Sequence, residues 1–342
     1  MPGPFTDSLS RVQRGESLDR LSMTAAMTLI MSGAVIDEEL IAFLAALADK
    51  GETAEEVAGA ATVMREHMTP IRSHHPRLLD TCGTGGGGSD LFNISTTAAI
   101  VIAAAGEPVA KHGNRSITSR SGSADLLAEL GVNIDADASQ IERCLRELGI
   151  CFCFAQRMHP AMRHVASARK KLGRRTIFNI LGPLANPAGA TYQLLGAGRP
   201  ELRPLLAESL KLLSTERAFV LSGEDGLGEA TIAGSTHVTV VEGDNVAEIK
   251  FRPQQFGLST NKLDSLRVVD AASSAMLVRR VLAGEQGGPR DIVVLNAALG
   301  LLVCDPAVKP IDAAARAAAA IDSGAAAQLL DQLAVLSHAA PA

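Results

Sequence analysis

Residues 77–114 read RLLDTCGTGGGGSDLFNISTTAAIVIAAAGEPVAKHGN. The segment opens on a short apolar run that ends in Asp80 and a chain of glycines. A helix-length apolar stretch follows from Ser95. A second short apolar run at 108–110 ends in Lys111 and His112. Strand, loop, helix, strand is the signature of a parallel sheet with crossover helices. A glycine run costs backbone entropy and packs nothing, so this loop calls for something to wrap around.

Outward from this segment the alternation continues. SGSADLLAELGV (121–132) and SQIERCLRELG (139–149) carry helical punctuation, and ICFCFA (150–155) reads as a strand. Short apolar runs recur at 192–198, 217–223 and 237–243, and the last third is mostly helical with an alanine-rich helix around 312–324. Before residue 70 the pattern is helical throughout. LSMTAAMTLIMSGAV offers Ser22 as N-cap and Gly33 as stop, DEELIAFLAALADKG stops at Gly51, and Thr53 with Glu56 has capping-box spacing. The expectation is α/β: a small all-α domain plus a larger α/β domain with a mostly parallel central sheet. The helical domain is placed at 1–74, with about 159–187 packing on it, and the α/β domain at 75–158 and 188–342. Ligands in such sheets bind beyond the carboxyl ends of the strands, so the loops after the first two strands should face one crevice.

Composition sets the outer bounds. The 342 residues are 47% hydrophobic and 20% charged, within the globular range, and aromatics are scarce, so the core is aliphatic. A net charge of −5 gives no basic excess, and nucleic acid is not an expected partner. Five cysteines without even spacing argue against a disulfide framework and for a reducing, cytoplasmic setting. Cys151 and Cys153 would share one strand face as buried thiols. There is no signal-peptide h-region, and the longest apolar run is far short of a membrane span.

The glycine loop fails two well-known tests. Gly83, Gly85 and Gly88 fit the G-x-G-x-x-G spacing, but the end of the next strand offers Lys111 and His112 where a ribose-binding acid is needed. Gly88 is followed by Ser89 and Asp90, so it is no Walker loop either. What remains is a loop whose N–H groups approach an anion and feed a helix N-terminus at 93–96. The second loop, KHGNRSITSRSGS (111–123), is all donors, with no acid before Asp125. Together the two loops read as a polyanion site for a diphosphate and another phosphate. A third segment, 154–189, is rich in Lys and Arg; its arginines form a solvated face, or one of them reaches back to a substrate carboxylate. A fourth, SGEDGLGEATIAG (222–234), offers Asp225 and Glu229 as Mg²⁺ ligands.

These four segments, in this order, resemble the anthranilate phosphoribosyltransferases of tryptophan biosynthesis. KHGNRS and RTIFNILGPLANP carry the resemblance most specifically, and it extends over nearly the whole chain. It implies a nucleoside-phosphorylase-like fold and a homodimer formed through the helical domain. It also implies transfer of phosphoribose from phosphoribosyl pyrophosphate (PRPP) to the amine of anthranilate. Carried over by residue, Gly83, Gly86, Gly87, Leu91, Asn93, Ile94, Ser95 and Thr96 would bind PRPP. So would Lys111, His112, Gly113, Asn114, Arg115, Ser116, Ser119 and Ser123. Gly83, His112, Asn114 and Arg169 would meet anthranilate, and Ser95 and Glu229 would hold Mg²⁺. The chain departs from the family pattern at two acids, replaced by Gly87 and Gly228, and Asp90 is an added acid that could compensate in part. Leu91 and Gln156 stand where Thr and Pro are usual. An altered acceptor, or a non-catalytic anion- or nucleic-acid-binding relative, is the alternative that these departures leave.

Overall fold

The computed structural model describes residues 4–86, 90–116 and 120–339. Four helices come first: α1 (Pro4–Gln13), α2 (Arg20–Met31), α3 (Asp37–Lys50) and α4 (Ala54–Glu66). The N-cap of α2 is Asp19, not Ser22: the Asp19 carboxylate accepts the Ser22 N–H at 2.7 Å, so Ser22 lies in the first turn. Three acids begin α3 and Lys50 ends it, complementing the helix dipole. Gly51 turns the chain out at φ +86°. Thr53 and Glu56 form the expected capping box on α4.

The sheet begins with β1 (Leu79–Gly83), followed by α5 (Ile94–Ala104) and β2 (Val109–Gly113). Helices α6 (Ser123–Glu129) and α7 (Ala138–Leu148) lead to β3 (Ile150–Phe154). A helical segment follows, with α8 (Ala155–Met158), α9 (Arg163–Leu172) and α10 (Phe178–Leu181). The chain re-enters the sheet as β4 (Tyr192–Gly196), crosses through α11 (Arg203–Leu212) to β5 (Arg217–Gly223), and adds β6 (Thr236–Glu242) and β7 (Asn245–Phe251). Helices α12 (Ala271–Leu282), α13 (Gly288–Cys304), α14 (Pro310–Asp322) and α15 (Ala325–Leu336) complete it.

Strand order is β3-β2-β1-β4-β5-β6-β7. The first five strands are parallel; β6 and β7 are antiparallel additions at one edge. The order reverses between β1, which leads toward β2 and β3, and β4, which leads toward β5. That reversal puts the expected crevice at the carboxyl ends of β1 and β4.

Strand alternation sends side chains into two cores. Leu194, Phe219 and Leu221 join α5 and α12–α15 on one face. Leu195, Ala218 and Val220 join α11 and the helices α1–α4 on the other. Residues 161–185 also pack into that second core, so the helical unit sits over one face of the sheet and overhangs the crevice.

Candidate active site

Two loops leave the carboxyl ends of the adjacent strands β1 and β2. Beyond Gly83 the first is tied to the β4 turn: the Thr84 N–H donates to Gly196 O, and Gly198 N–H donates to Thr84 Oγ1, both at 3.0 Å. Gly85 and Gly86 take positive φ, +67° and +90°. A β-carbon at Gly86 would lie 2.9 Å from the Arg175 guanidinium. Where the chain returns, Asp90 pairs with Arg267, Leu91 bridges to Arg267, and Phe92 N–H donates to Leu266 O at 3.0 Å. Asp90 is therefore spent on holding the loop exit and does not replace a metal acid.

The loop feeds α5, whose first turn holds no acid and whose N-cap, Asn93, makes no side-chain cap bond. Asn93 Nδ2 instead donates to Ser121 O at 3.1 Å, and its Oδ1 accepts from Ser274 Oγ at 2.8 Å. The Ile94 N–H donates to Phe92 O at 2.8 Å, the Ser95 hydroxyl and N–H face Glu229, and the buried Thr96 hydroxyl has no partner among the described residues. A helix start of this kind favours an anion.

The second loop is less open than its sequence suggests. Asp125 gathers it from below, accepting from Arg115 Nη1 at 2.9 Å, Ser116 N–H at 2.9 Å and Gly122 N–H at 3.0 Å. The Arg115 side chain, expected as a free phosphate donor, is ion-paired and lies over Phe154. Gly113 has no room for a side chain, because a β-carbon would meet Ser123 Oγ at 2.0 Å. Asn114 is exposed. Its Oδ1 accepts the Arg115 N–H at 2.8 Å and the Gln156 amide at 3.4 Å, so the unusual Gln156 reaches this site. Gly87 and Ser119 lie outside the described residues.

Lys111 and His112 sit deeper than expected. Lys111 is 4% exposed, and its Nζ donates to Thr81 O at 2.5 Å. His112 Nδ1 meets Gly182 O at 3.1 Å and its Nε2 meets His159 Nε2 at 3.2 Å. The Gly182 carbonyl requires an N–H on Nδ1, so His112 Nε2 accepts from His159. Burial lowers both rings, His112 to about 3 and His159 to about 4. His112 therefore backs the wall of the crevice, and neither ring nitrogen is free to meet a substrate.

Glu229, half-buried after β5, is pushed up to about 7 by burial, against the pull of Lys111 and of the Ser95 hydroxyl and N–H. Asp225 is committed to its own turn, accepting from Leu227 N–H at 3.1 Å and Thr231 Oγ1 at 2.6 Å. Gly228 packs against the β4 turn. A β-carbon there would lie 3.0 Å from Gly198 Cα, and one at Gly196 would lie 1.9 Å from Gly228 O. On the helical side, Arg169 is half-buried, stacks 5.5 Å over Phe178, and has no carboxylate partner among the described residues. Burial lowers its pKa.

Residues 75–327 match the α/β domain of a glycosyl transferase family, and residues 6–68 match that family's helical bundle domain. An anthranilate phosphoribosyltransferase of Anaeromyxobacter dehalogenans strain 2CP-C is 50% identical over 326 residues, covering 95% of this chain and 96% of that one. The chain belongs to the anthranilate phosphoribosyltransferase family. The relative from Geotalea uraniireducens is 46% identical, with 97% and 99% covered. Among solved structures, the anthranilate phosphoribosyltransferase of Thermus thermophilus superposes with a TM-score of 0.92 at 39% identity, covering 97% of this chain and all of that one. The Saccharomyces cerevisiae enzyme in complex with PRPP and Mg gives 0.89 at 26% identity, with 98% of each covered.

Sequence reasoning missed four contributors to this anthranilate phosphoribosyltransferase site: Asp80, His159, Arg175 and Arg267. Only Asp80 carried a local signal, an acid at the end of an apolar strand. The other three come from far along the chain: His159 meets His112 from 47 residues away, Arg175 meets Gly85 from 90 and Arg267 meets Asp90 from 177.

Proposed function

We propose that this crevice transfers the 5-phosphoribosyl group of PRPP to the amine of anthranilate, giving N-(5-phosphoribosyl)anthranilate and pyrophosphate. That is the second step from chorismate to tryptophan. The observation that carries the reading is one juxtaposition: the Glu229 carboxyl faces the Ser95 hydroxyl and N–H in the first turn of α5 and feels the charge of the buried Lys111. A diphosphate with a divalent cation satisfies all three.

On this reading the residues take the parts that the family resemblance implies. Gly83, Gly86, Asn93, Ile94, Ser95 and Thr96 meet the diphosphate through backbone N–H groups and hydroxyls, and Lys111 adds positive potential from below. Asn114, Arg115, Ser116 and Ser123, with Gly113, form the far side of the phosphate cradle. Arg115 leaves Asp125 in part to do so. Gly87, Leu91 and Ser119 complete the PRPP set. Arg169 faces the anthranilate carboxylate, beside Gly83 and Asn114, with His112 behind.

The donor set suits one Mg²⁺. Glu229 has a carboxyl raised by burial that a cation would pull down, Ser95 has a hydroxyl beside it, and Mg²⁺ is commonly held by one or two carboxylates with substrate phosphates. Gly228 and Asp225 contribute no free carboxylate, so among the described residues of this turn Glu229 is the acid left for a cation. Bound Mg²⁺ supplies charge neutralisation to the leaving diphosphate.

Displacement at the ribose C1 passes through an oxocarbenium-like state. The protein's own task is to stabilise the departing diphosphate electrostatically and to hold the neutral aromatic amine in line. Such positioning is worth up to about 7–11 kcal/mol. No strong base is required.

The exposed Leu21 and Ile36 of the helical unit, 82% and 60% accessible, support a homodimer through that unit. All five cysteines are free thiols, in keeping with the cytoplasm. Among the described residues no helix is long and apolar enough to cross a membrane.

The test is loss of anthranilate fluorescence on adding PRPP, across a Mg²⁺ titration. PRPP-dependent loss with a single Mg²⁺ dependence is expected. Folded protein with no turnover at any Mg²⁺ concentration would end this reading.

A further inference from the structure

The sheet has a gap beneath the crevice. Strands β1 and β4 share a full register from Leu79↔Tyr192 to Gly83↔Gly196, and β2 and β3 from Val109↔Ile150 to Gly113↔Phe154. Strands β1 and β2, adjacent in the same sheet, pair only at Leu79↔Val109. Beyond that point side chains replace the main-chain ladder. Asp80 Oδ1 accepts the His112 N–H at 3.1 Å, Lys111 Nζ donates to Thr81 O at 2.5 Å, and Asn186 Nδ2 donates to Ala110 O at 2.8 Å.

Asp80 is the odd member of this set. Its side chain is completely buried, yet Oδ2 has no hydrogen-bond partner among the described residues. A buried carboxylate with an unsatisfied oxygen is expensive, and an apolar residue of similar volume would fill the space at lower cost. Its one charged neighbour of opposite sign is Lys111, whose ammonium also feels Glu229. Cys82 and His112 face the same space, both held neutral by burial. The Asn186 amide, the Lys111 charge and the His112 N–H all favour the carboxylate, and its link to the lysine is crosswise: Asp80 Oδ1 holds the N–H next to Lys111, while Lys111 Nζ holds the carbonyl next to Asp80.

We infer that Asp80 is a positioning residue that acts through Lys111, wedging β1 and β2 apart and fixing the buried ammonium beneath the diphosphate end of the crevice. The inference rests on the assignment of Lys111 to that end. Asp80 touches no substrate. It decides where the cation stands when the diphosphate arrives, so its loss is felt in PRPP handling and not in the acceptor pocket.

Asp80→Asn is the direct probe, because an amide oxygen still accepts the His112 N–H and the volume is kept. The expected result is a PRPP KM raised by about tenfold or more, with the anthranilate KM within about threefold. A purely structural role would instead lower the melting temperature and move both constants together, or neither, and either pattern overturns the inference. In a Lys111→Met background, Asp80→Asn should add no further loss of kcat/KM for PRPP, because residues acting through one another are not additive. Independent, additive losses would also overturn it. Should Asp80→Asn alone fail to fold, the double variant should recover folding, since removing both buried charges costs less than stranding one; failure of both is a third overturning result. Parent enzyme without PRPP-dependent turnover would indict the proposed function instead, so the two failures are distinguishable.

Discussion

Arg169 is a guanidinium resting on an aromatic face, with no carboxylate to meet it among the described residues. Burial already lowers its pKa, so its charge is kept at a cost that an incoming anion relieves. A carboxylate bound in a fork geometry is the ligand that suits it. Arg169→Ala is expected to lower kcat/KM for anthranilate by about 10- to 100-fold, the equivalent of a charge-assisted bond of about 1.5–3 kcal/mol. The PRPP KM should stay within about twofold. Initial rates with each substrate varied in turn decide it, and an unchanged anthranilate response would remove Arg169 from the acceptor site. Helical spacing places Arg169 on one face with Val165, which is buried, but its part at a carboxylate came from the family resemblance and not from the spacing. The reading failed at Arg115. Its loop looked like a free cation cradle, but Asp125, ten residues on, supplies an internal counter-charge, and a contact made through a turn is invisible to a count of donors.

At the scale of elements, the join of three helices hangs on one side chain. Glu56 is fully buried and accepts from Leu18 N–H at 2.9 Å, Lys50 Nζ at 2.9 Å and Thr53 N–H at 2.8 Å. It therefore ties the approach to α2, the end of α3 and the start of α4. Glu56→Ala strands a largely buried ammonium and two N–H groups, and should destabilise by about 3–5 kcal/mol. Thr53→Ala removes only the cap and should cost about 1 kcal/mol. Urea unfolding followed by helical circular dichroism compares them; equal small losses would mean that Glu56 is no more than a cap. The capping box could be read in advance because its partners are three residues apart. The links to Leu18 and Lys50 depend on how the helices pack and left no local trace. The sheet divides in the same way. Short apolar runs announced β1 to β6, whereas the edge strand β7 has an exposed, mixed sequence, NVAEIKF, that carries little periodic signal. The gap between β1 and β2 is a further case, since both strands look regular until their registers are compared.

Across the whole molecule, the junction between sheet and helical unit passes through the His112–His159 pair. His112 lies near the end of β2, and His159 begins the turn that leads into α9 beneath the helical core. Both rings are neutral when folded, and both have pKa values far below the usual 6.5 of an unfolded chain. The sign follows from proton counting. Above pH 6.5 both states are neutral and the full stability is present. As pH falls from 6.5 toward about 4, the unfolded chain takes up protons that the folded His159 refuses, so stability is lost at about 1.4 kcal/mol per pH unit for that ring. Glu229 works in the opposite direction. Raised to about 7, it binds its proton more tightly when folded, which favours the folded state as pH falls through the same window. A single pH curve for the parent therefore mixes opposing slopes. Comparison with His159→Gln cancels Glu229 and leaves the ring. Glutamine keeps an N–H donor for His112 but does not titrate. The variant should be less stable than the parent near pH 7, and the difference should shrink by about 1.4 kcal/mol per unit as pH falls below 6.5. Urea midpoints taken at half-unit steps measure that difference directly. Convergence of the two curves in acid would show that the junction loosens through this pair; parallel curves would mean that His159 is already free to accept a proton in the folded protein.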